Sequence, residues 1–327
     1  MTVTFDNIAA VIENARNIVI ATHIRPDGDC LGSTLALARY IERFGGKQVH
    51  IWNADADTVV QKFRYLPGLD KVVSPSNGKW NCDLAITLDT STRKRLGRTW
   101  ECIADIPTIL NIDHHGDNSV EATLNYIDPT APATGQIIYE FFHETGVSID
   151  SEMATCLFAA ISTDTGSFQY RGTDKRTFLA AAALVEAGVD VAALSIAMYD
   201  SQPKRQFDLL CHALNETHFL CDDRFAYFAL RLADTMGLQP EDTEGIVDRL
   251  RAVESVVCAA FFEEQSDGCV RVSTRSKDLS VNVSEICRAF GGGGHPLAAG
   301  ARVRGSLDKV VEQFSQAICH AISQRNH

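Results

Sequence analysis

Residues 17–29 of the chain read NIVIATHIRPDGD, and the fold depends on the pattern in this stretch. Its first six residues form a short apolar run rich in β-branched side chains, which is typical of a buried strand. A polar loop follows, and from Leu31 to Phe44 the apolar residues recur at helical spacing. The stretch therefore predicts a strand, a loop and a helix in succession, with histidine and aspartate side chains in the loop.

The same alternation continues through the N-terminal half. Apolar runs recur at Gln48–Trp52, at Asp83–Leu88 (DLAITL) and at Thr108–Ile112 (TILNI), and each ends where polar residues begin. Short apolar strands separated by helical segments are typical of a mainly parallel sheet covered by helices. From Thr134 to Tyr199 the pattern is helical, and no further strand is predicted there.

The last third of the chain mixes helices and strands. The predicted elements are a helical stretch from Pro203 to His218, strands at Phe225–Arg231, Val256–Glu263 and Cys269–Thr274, and helices near Asp242–Ala252 and from Leu307. The sequence thus predicts an α/β protein with two domains joined by a helical linker. The predicted ranges are residues 1–190, with the mainly parallel sheet, 191–218 for the linker and 219–327 for a smaller α/β domain.

The composition is that of a globular protein: 327 residues, of which 45% are hydrophobic and 22% charged. No apolar stretch reaches the roughly 18 residues of a spanning helix, and the start lacks the order of a secretory signal, so a cytoplasmic location is expected. The net charge of -12 argues against binding long duplex nucleic acid, which requires many lysines and arginines. The ten cysteines include no Cys-x-x-Cys pair, and we expect them to be reduced.

Side chains of the kind that bind metal ions follow three of the predicted strands. They are His23, Asp27 and Asp29 after the first strand, Asp89 after DLAITL, and the triplet Asp113, His114 and His115 after TILNI. A further carboxylate, Asp164, ends the predicted helix that contains MATCLFAAI. Ligands of open α/β sheets bind at the carboxyl ends of the strands, where these side chains are expected to meet.

Each of these aspartates, taken alone, is also explained as a turn residue or a helix cap. Adjacent histidines preceded by an aspartate are harder to explain as core packing. Together, the imidazoles and carboxylates suit manganese, magnesium or iron. They predict a site for two ions about 3.5–4 Å apart, with one aspartate shared between them.

These motifs, in their order and spacing, resemble those of the DHH phosphoesterases, whose name is the triplet at Asp113, His114 and His115. The C-terminal part resembles the DHHA1 domain through residues 272–276 (VSTRS) and 291–300 (GGGGHPLAAG). Within that family the chain looks most like the NrnA group. The resemblance implies an active site in the cleft between the two domains.

The resemblance also implies roles for individual residues. His23 and Asp27 would bind one metal ion, Asp29, His114 and Asp164 the other, and Asp89 would bridge the two. His115 would face the scissile phosphate, and Asp113 would orient a histidine. The implied contacts to substrate are Arg275, Ser276, Gly292, Gly293, Gly294 and His295. A flexible linker is the alternative for the glycine run, but its apolar flanks argue against that.

The function that the resemblance implies is hydrolysis of short oligoribonucleotides, of two to five nucleotides, and removal of the 3'-phosphate of pAp. Two Mn²⁺ ions are the expected cofactors, with Mg²⁺ as the alternative, and a homodimer is the expected assembly. The main alternative is a phosphodiesterase acting on cyclic di-AMP or linear dinucleotides; a RecJ-type exonuclease, a family II pyrophosphatase and a non-catalytic nucleotide sensor are less favoured. Arg93, Lys94 and Arg95 are predicted to lie in a solvated loop, with contact to the substrate as the alternative.

Overall fold

The computed structural model describes residues 3–56, 63–75 and 81–324. The chain divides into two compact units, Met1–Ser201 and Gln202–His327. The division falls within the predicted helical linker, and the predicted domain bounds stay a prediction. Among the described residues, no single helix is long and apolar enough to cross a membrane. Two helices that are bent by 112° at their junction, Lys175–Glu186 and Val191–Tyr199, meet that criterion together, by length and composition only.

The N-terminal unit is built on a parallel sheet of six strands. Its strands are β1 (Asn17–Thr22), β2 (Gln48–Asn53), β3 (Val72–Val73), β4 (Leu84–Leu88), β5 (Ile109–Asp113) and β6 (Leu124–Ile127). They are arranged in the order β3-β2-β1-β4-β5-β6, and every neighbouring pair is parallel. The chain order therefore reverses between β1 and β4, which is where open α/β sheets bind ligands.

Helices cover the sheet. Within the described residues of this unit they are α1 (Phe5–Asn14), α2 (Gly28–Glu42), α3 (Arg98–Ile103), α4 (Thr134–Glu144), α5 (Ser151–Asp164), α6 (Lys175–Glu186) and α7 (Val191–Tyr199). One large apolar core contains residues of β1, β4 and β5 together with α1, α2, α4 and α5, and a smaller core on the other face contains Val19, Trp52 and Leu96. The α/β class and the predicted parallel strands are confirmed.

Glycines let α2 approach α5 closely. A β-carbon on Gly32 would lie 2.3 Å from the carbonyl oxygen of Cys156, and one on Gly28 would lie 2.5 Å from Cγ2 of Thr163. Real β-carbons do not come this near to other atoms, so only glycine fits at either place. The close approach brings the start of α2 to the end of α5, and both of those helix ends carry aspartates of the predicted metal site.

The C-terminal unit contains a second, mixed sheet. Its strands are β7 (His218–Leu220), β8 (Phe225–Leu230), β9 (Cys258–Glu264), β10 (Cys269–Ser276), β11 (Gly293–His295) and β12 (Ala298–Arg304). They lie in the order β11-β12-β10-β9-β8-β7, antiparallel except for the parallel pair β8 and β9. The helices of this unit are α8 (Lys204–Asn215), α9 (Ile246–Arg251), α10 (Val283–Ala289) and α11 (Leu307–Gln324). Apolar cores lie on both faces of this sheet.

The cysteines depart from expectation at one pair. Cys221 and Cys319 form a disulfide that links the turn between β7 and β8 to α11. The expectation that all ten cysteines are reduced is wrong for these two, and the other eight are free. Sequence spacing did not reveal the pair because its members lie 98 residues apart and only the fold brings them together.

Candidate metal centre

Three neighbouring strands deliver the predicted metal ligands to one edge of the sheet. His23 directly follows β1, Asp89 directly follows β4, and Asp113 is the last residue of β5. Since β4 pairs with both β1 and β5, the side chains after these strands become neighbours. The prediction that ligands distant in sequence meet at the carboxyl ends of the strands agrees with this arrangement.

Asp89 lies at the middle of the cluster and is only 2% exposed. Its Oδ2 atom lies 3.5 Å from Nε2 of His23, and its Oδ1 atom lies 3.4 Å from Nε2 of His114. The hydroxyl of Thr134 also donates a hydrogen bond of 3.2 Å to Oδ1. The two carboxylate oxygens of Asp89 thus face two different histidines. This is the geometry that a bridging ligand requires.

His23 and Asp27 form the first group around Asp89. Nε2 of His23 lies 3.7 Å from Oδ2 of Asp27. Asp27 is at the same time the N-cap of α2, where its Oδ1 atom accepts a hydrogen bond of 3.0 Å from the backbone N–H of Cys30. The two explanations considered for Asp27, helix cap and metal ligand, are therefore compatible, because each uses a different oxygen.

Asp29, His114 and Asp164 form the second group. Nε2 of His114 lies 3.2 Å from Oδ2 of Asp164 and 3.9 Å from Oδ2 of Asp29. Asp29 is fully buried, and its oxygens accept hydrogen bonds of 2.6 and 2.7 Å from the backbone N–H groups of Thr134 and Gly135. The start of α4 therefore holds Asp29 in place and contributes the positive end of a helix dipole to this carboxylate.

Asp113 and His115 form a separate hydrogen-bonded pair. Nδ1 of His115 lies 2.7 Å from Oδ1 of Asp113, and Oδ2 of Asp113 accepts a hydrogen bond of 2.6 Å from the amide of Asn118. Oδ1 of Asp113 also accepts the backbone N–H of His114. The buried Asp113 carboxylate thus fixes the orientation of the His115 ring. Burial lowers the pKa of His115, but Asp113 outweighs burial and raises it.

The tautomers of His23 and His114 indicate that the cluster needs positive charge. Nδ1 of His23 lies 2.8 Å from the carbonyl oxygen of Ile24, and Nδ1 of His114 lies 3.3 Å from that of Ala131. Because a carbonyl only accepts, each Nδ1 carries a proton, and Nε2 is the ring atom that faces the carboxylate oxygens. Burial lowers the pKa of both imidazoles, but the neighbouring acidic groups outweigh burial and raise it, so the cluster favours positive charge at these atoms. The buried Nε2 of His114 has no hydrogen-bond partner among the described residues. Metal-bound histidines show the same backbone contact at the other ring nitrogen.

The carboxylates of the cluster also favour the binding of positive charge. Burial and the nearby charge of Asp89 raise the pKa of Asp29 well above its usual value. Burial raises the pKa of Asp164 to about 6, although the neighbouring His114 opposes that shift. The carboxylates of Asp29, Asp89 and Asp164 are buried or half-buried and lie close together. They repel one another unless cations neutralise them. The donor set of imidazole nitrogens and carboxylate oxygens therefore fits divalent metal ions.

The sequence did not reveal two residues that lie against the cluster. Nη2 of the half-buried Arg95 lies 3.0 Å from both ring nitrogens of His23, a position over the ring face. Arg95 was predicted to lie in a solvated loop, whereas Arg93 pairs with Glu121 on the surface. Cys30 lies beside His23 and Asp89. Neither residue belongs to a motif, and only the fold shows that they are close.

The predicted substrate contacts of the C-terminal unit lie on and near β10 and β11. Nε of Arg275 lies 3.2 Å from Asp248, and its side chain is 30% exposed. Ser276 is buried, and its hydroxyl donates a hydrogen bond of 2.9 Å to the carbonyl oxygen of Asp278, so it faces the interior of this unit.

The glycine run forms part of the sheet in this unit. Gly293, Gly294 and His295 make up β11, which pairs with β12. A β-carbon on Gly292 would lie 2.2 Å from the carbonyl oxygen of Gly300. One on Gly294, whose φ is +139°, would lie 2.6 Å from the carbonyl oxygen of Ala298. These glycines thus permit close pairing with β12, and the run is not a linker.

Comparisons with known proteins agree with this architecture. Residues 17–161 match the model of the DHH family, N-terminal domain, and residues 223–324 match that of the DHHA1 domain. A bifunctional oligoribonuclease and PAP phosphatase NrnA from Thermus thermophilus is 31% identical over 314 residues, which cover 95% of this chain and 91% of that protein.

Two further similarities extend over nearly the whole chain. A probable bifunctional oligoribonuclease and PAP phosphatase NrnA from Streptococcus mutans is 31% identical and covers 91% of this chain and 93% of its own length. Among solved structures, an exopolyphosphatase-related protein from Bacteroides fragilis gives a TM-score of 0.87 at 23% identity, covering 96% of this chain and 95% of that one. That last likeness shows a shared fold.

Proposed function

The chain belongs to the DHH family of phosphoesterases, with a DHH domain followed by a DHHA1 domain, and from this premise we propose that it hydrolyses short oligoribonucleotides and removes the 3'-phosphate of pAp. The observation that carries the proposal is the cluster around Asp89, whose two oxygens face His23 and His114. Relatives that are 31% identical over at least nine-tenths of the chain are described as having both activities, which supports the same substrates here.

Two divalent ions would be held by the two groups of side chains. His23 and Asp27 would hold one ion, Asp29, His114 and Asp164 the other, and Asp89 would be shared. We propose Mn²⁺, with Mg²⁺ as the alternative, because nitrogen and oxygen donors suit the former better. When bound, such ions lower the pKa of a water and stabilise the charge on phosphoryl oxygens.

The remaining residues of the cluster would handle the phosphate. His115 would present its Nε2 atom to the scissile phosphate, held in that orientation by the buried carboxylate of Asp113. The guanidinium of Arg95 lies at the acidic cluster, and no ion pair joins it to a carboxylate of the described residues. We therefore assign to Arg95 a contact with the phosphate, since guanidinium groups bind phosphate oxygens in pairs. Arg275, Gly292, Gly293, Gly294 and His295 stay proposed contacts to the rest of the nucleotide. Ser276 is not proposed as a direct contact, because its buried hydroxyl donates to Asp278 inside the C-terminal unit.

The proposal is tested by assaying the purified chain on pAp, RNA of two to five nucleotides, cyclic di-AMP and pyrophosphate. We expect hydrolysis of pAp and of the short RNA when Mn²⁺ is supplied and no hydrolysis in a chelator. A preference for cyclic di-AMP would instead assign the chain to the cyclic dinucleotide phosphodiesterases. Tight nucleotide binding with undetectable hydrolysis in Mn²⁺ would assign it to the sensors. We propose the cytoplasm as the place of action.

We further propose that the chain forms a homodimer through the outer faces of α6 and α7. Phe178 and Leu179 on α6 are 57% and 58% exposed, and Ile196 on α7 is 57% exposed. Large apolar side chains that are exposed together on neighbouring helices are typical of an interface between proteins. A second copy of the chain would cover them by presenting the same face.

The double substitution Phe178→Glu and Leu179→Glu is expected to convert this dimer into a monomer, because two buried charges without partners oppose association. Light scattering coupled to size-exclusion chromatography measures the change. Leu279→Glu is the matched control, since Leu279 is 56% exposed but lies in the C-terminal unit, and it should leave the mass unchanged. A wild-type chain that is monomeric at all concentrations would contradict the proposal.

A further inference from the structure

Cys30 lies in the first turn of α2, and its side chain is fully buried. Its Sγ atom, a ring nitrogen of His23 and a carboxylate oxygen of Asp89 all lie within 4.8 Å of one another. Donor atoms at such distances can bind one ion together, since metal–ligand distances of about 2.0–2.3 Å place the donors around a tetrahedral ion within this range. The thiol therefore lies on the same side of Asp89 as His23.

The backbone holds Cys30 at this place. Its N–H donates to the capping carboxylate of Asp27, and its Sγ atom lies 3.9 Å from the carbonyl oxygen of Leu88, the last residue of β4. The thiol is therefore fixed between the ends of β1 and β4. The other buried free cysteines lie elsewhere; Cys156, for example, lies on α5 beside the carbonyl oxygen of Pro67.

We propose that Cys30 is a sulfur donor to the ion that His23, Asp27 and Asp89 would hold. This inference rests on the two-metal site of the proposed function, and it implies that the two ions have different sets of donor atoms. One ion would have nitrogen, sulfur and oxygen donors, and the other only nitrogen and oxygen. Thiolate ligands favour softer ions such as Zn²⁺ and Co²⁺ over Mg²⁺. The ion beside Cys30 is therefore the more thiophilic of the two, and its binding releases the thiol proton to solvent.

Cobalt reports this donor directly, because a sulfur ligand gives Co²⁺ an intense charge-transfer band in the near ultraviolet that nitrogen and oxygen ligands do not give. The metal-free full chain is titrated with Co²⁺ while absorbance and bound metal are measured. We expect two bound ions, with the charge-transfer band arising from one of them. Cys30→Ser should abolish the band, whereas Cys156→Ser, the matched buried control, should retain it.

Metal selectivity gives a second measurement. Removal of a residue that merely supports a ligand typically weakens metal binding by about 10–100-fold, and loss of a donor should cost at least as much. We therefore expect Cys30→Ser to weaken Zn²⁺ binding at one site by at least about tenfold, with a smaller effect on Mn²⁺. Equal loss for both metals would overturn the assignment.

The outcomes separate this inference from the proposed function. Two bound Co²⁺ ions without a charge-transfer band in the wild-type chain would overturn the role of Cys30 and leave the two-metal site intact. That result needs no variant, so it holds even if Cys30→Ser fails to fold. No bound cobalt at all would overturn the two-metal site itself. A band that persists in Cys30→Ser would assign the sulfur to another cysteine and so also overturn the inference.

Discussion

Asp89→Ala is expected to lower the rate of pAp hydrolysis by about 10³-fold or more. Removal of a single group that stabilises developing charge typically costs about 10²–10³-fold, and Asp89 would serve two ions at once. The measurement is the steady-state rate at saturating Mn²⁺, together with the number of bound ions. We expect that number to fall below the two of the wild-type chain.

A second variant separates charge from backbone effects at this position. Asp89 has a φ of +54°, in the left-handed region, where alanine is strained but asparagine is tolerated. Asp89→Asn therefore keeps the shape of the side chain and the backbone while removing the charge, and it should lose nearly as much activity. Asp117→Ala, an exposed aspartate near the DHH triplet, is the control and should retain full activity. Retention of more than a small share of activity in both Asp89 variants would refute the bridging role.

Gly32→Ala should give the largest loss of stability among the substitutions considered. The new β-carbon would lie 2.3 Å from the carbonyl oxygen of Cys156 and 3.0 Å from the side chain of Ala160, so α2 and α5 must move apart. Alanine improves helix propensity by about 1 kcal/mol, but overpacking a close helix contact costs about 1–3 kcal/mol or more. Because the clash is with a backbone atom that cannot rotate away, we take the upper end of that cost, about 3 kcal/mol, and expect the free energy of unfolding to fall by about 2 kcal/mol.

Denaturant unfolding of the N-terminal unit in the full chain measures this loss. Gly45→Ala is the matched control, because no atom lies within 4 Å of a β-carbon there and its φ is not positive. Gly32→Ala should also slow hydrolysis, since separating the helices shifts Asp29 from Asp164. A Gly32→Ala chain as stable as the Gly45→Ala chain would show that the helix contact adapts.

The sequence predicted the N-terminal sheet well for a physical reason. The strands that lead into the predicted ligands are short apolar runs followed by polar residues, so NIVIAT and DLAITL mark both the strand and the place where its ligand begins. The two-residue strand β3 and the more polar β6 (LNYI) lack such a run and were not predicted. Topology then requires His23 and Asp89 to meet, because both follow strands that are neighbours in a parallel sheet. The clustering of the predicted ligands was therefore predictable without coordinates.

Other features were not predictable, because they depend on tertiary contacts alone. The short strand β11 consists of two glycines and a histidine, which have low strand propensity, and it forms only because β12 approaches closely enough to pair with it. Arg95 lies 72 residues from His23, which its guanidinium contacts, and Cys30 lies within the apolar first turns of α2. Nothing in their local pattern distinguishes them from a surface arginine or a core thiol.

Both oxygens of Asp29 accept hydrogen bonds from the first two N–H groups of α4. Asp29 also lies close to the carboxylates of Asp89 and Asp164. The carboxylate that anchors the start of α4 is therefore also one of the mutually repelling carboxylates of the cluster. Without bound metal ions, repulsion between these carboxylates would destabilise the start of the helix that Asp29 anchors. The free energy of unfolding of the N-terminal unit would therefore rise with the concentration of available metal ions.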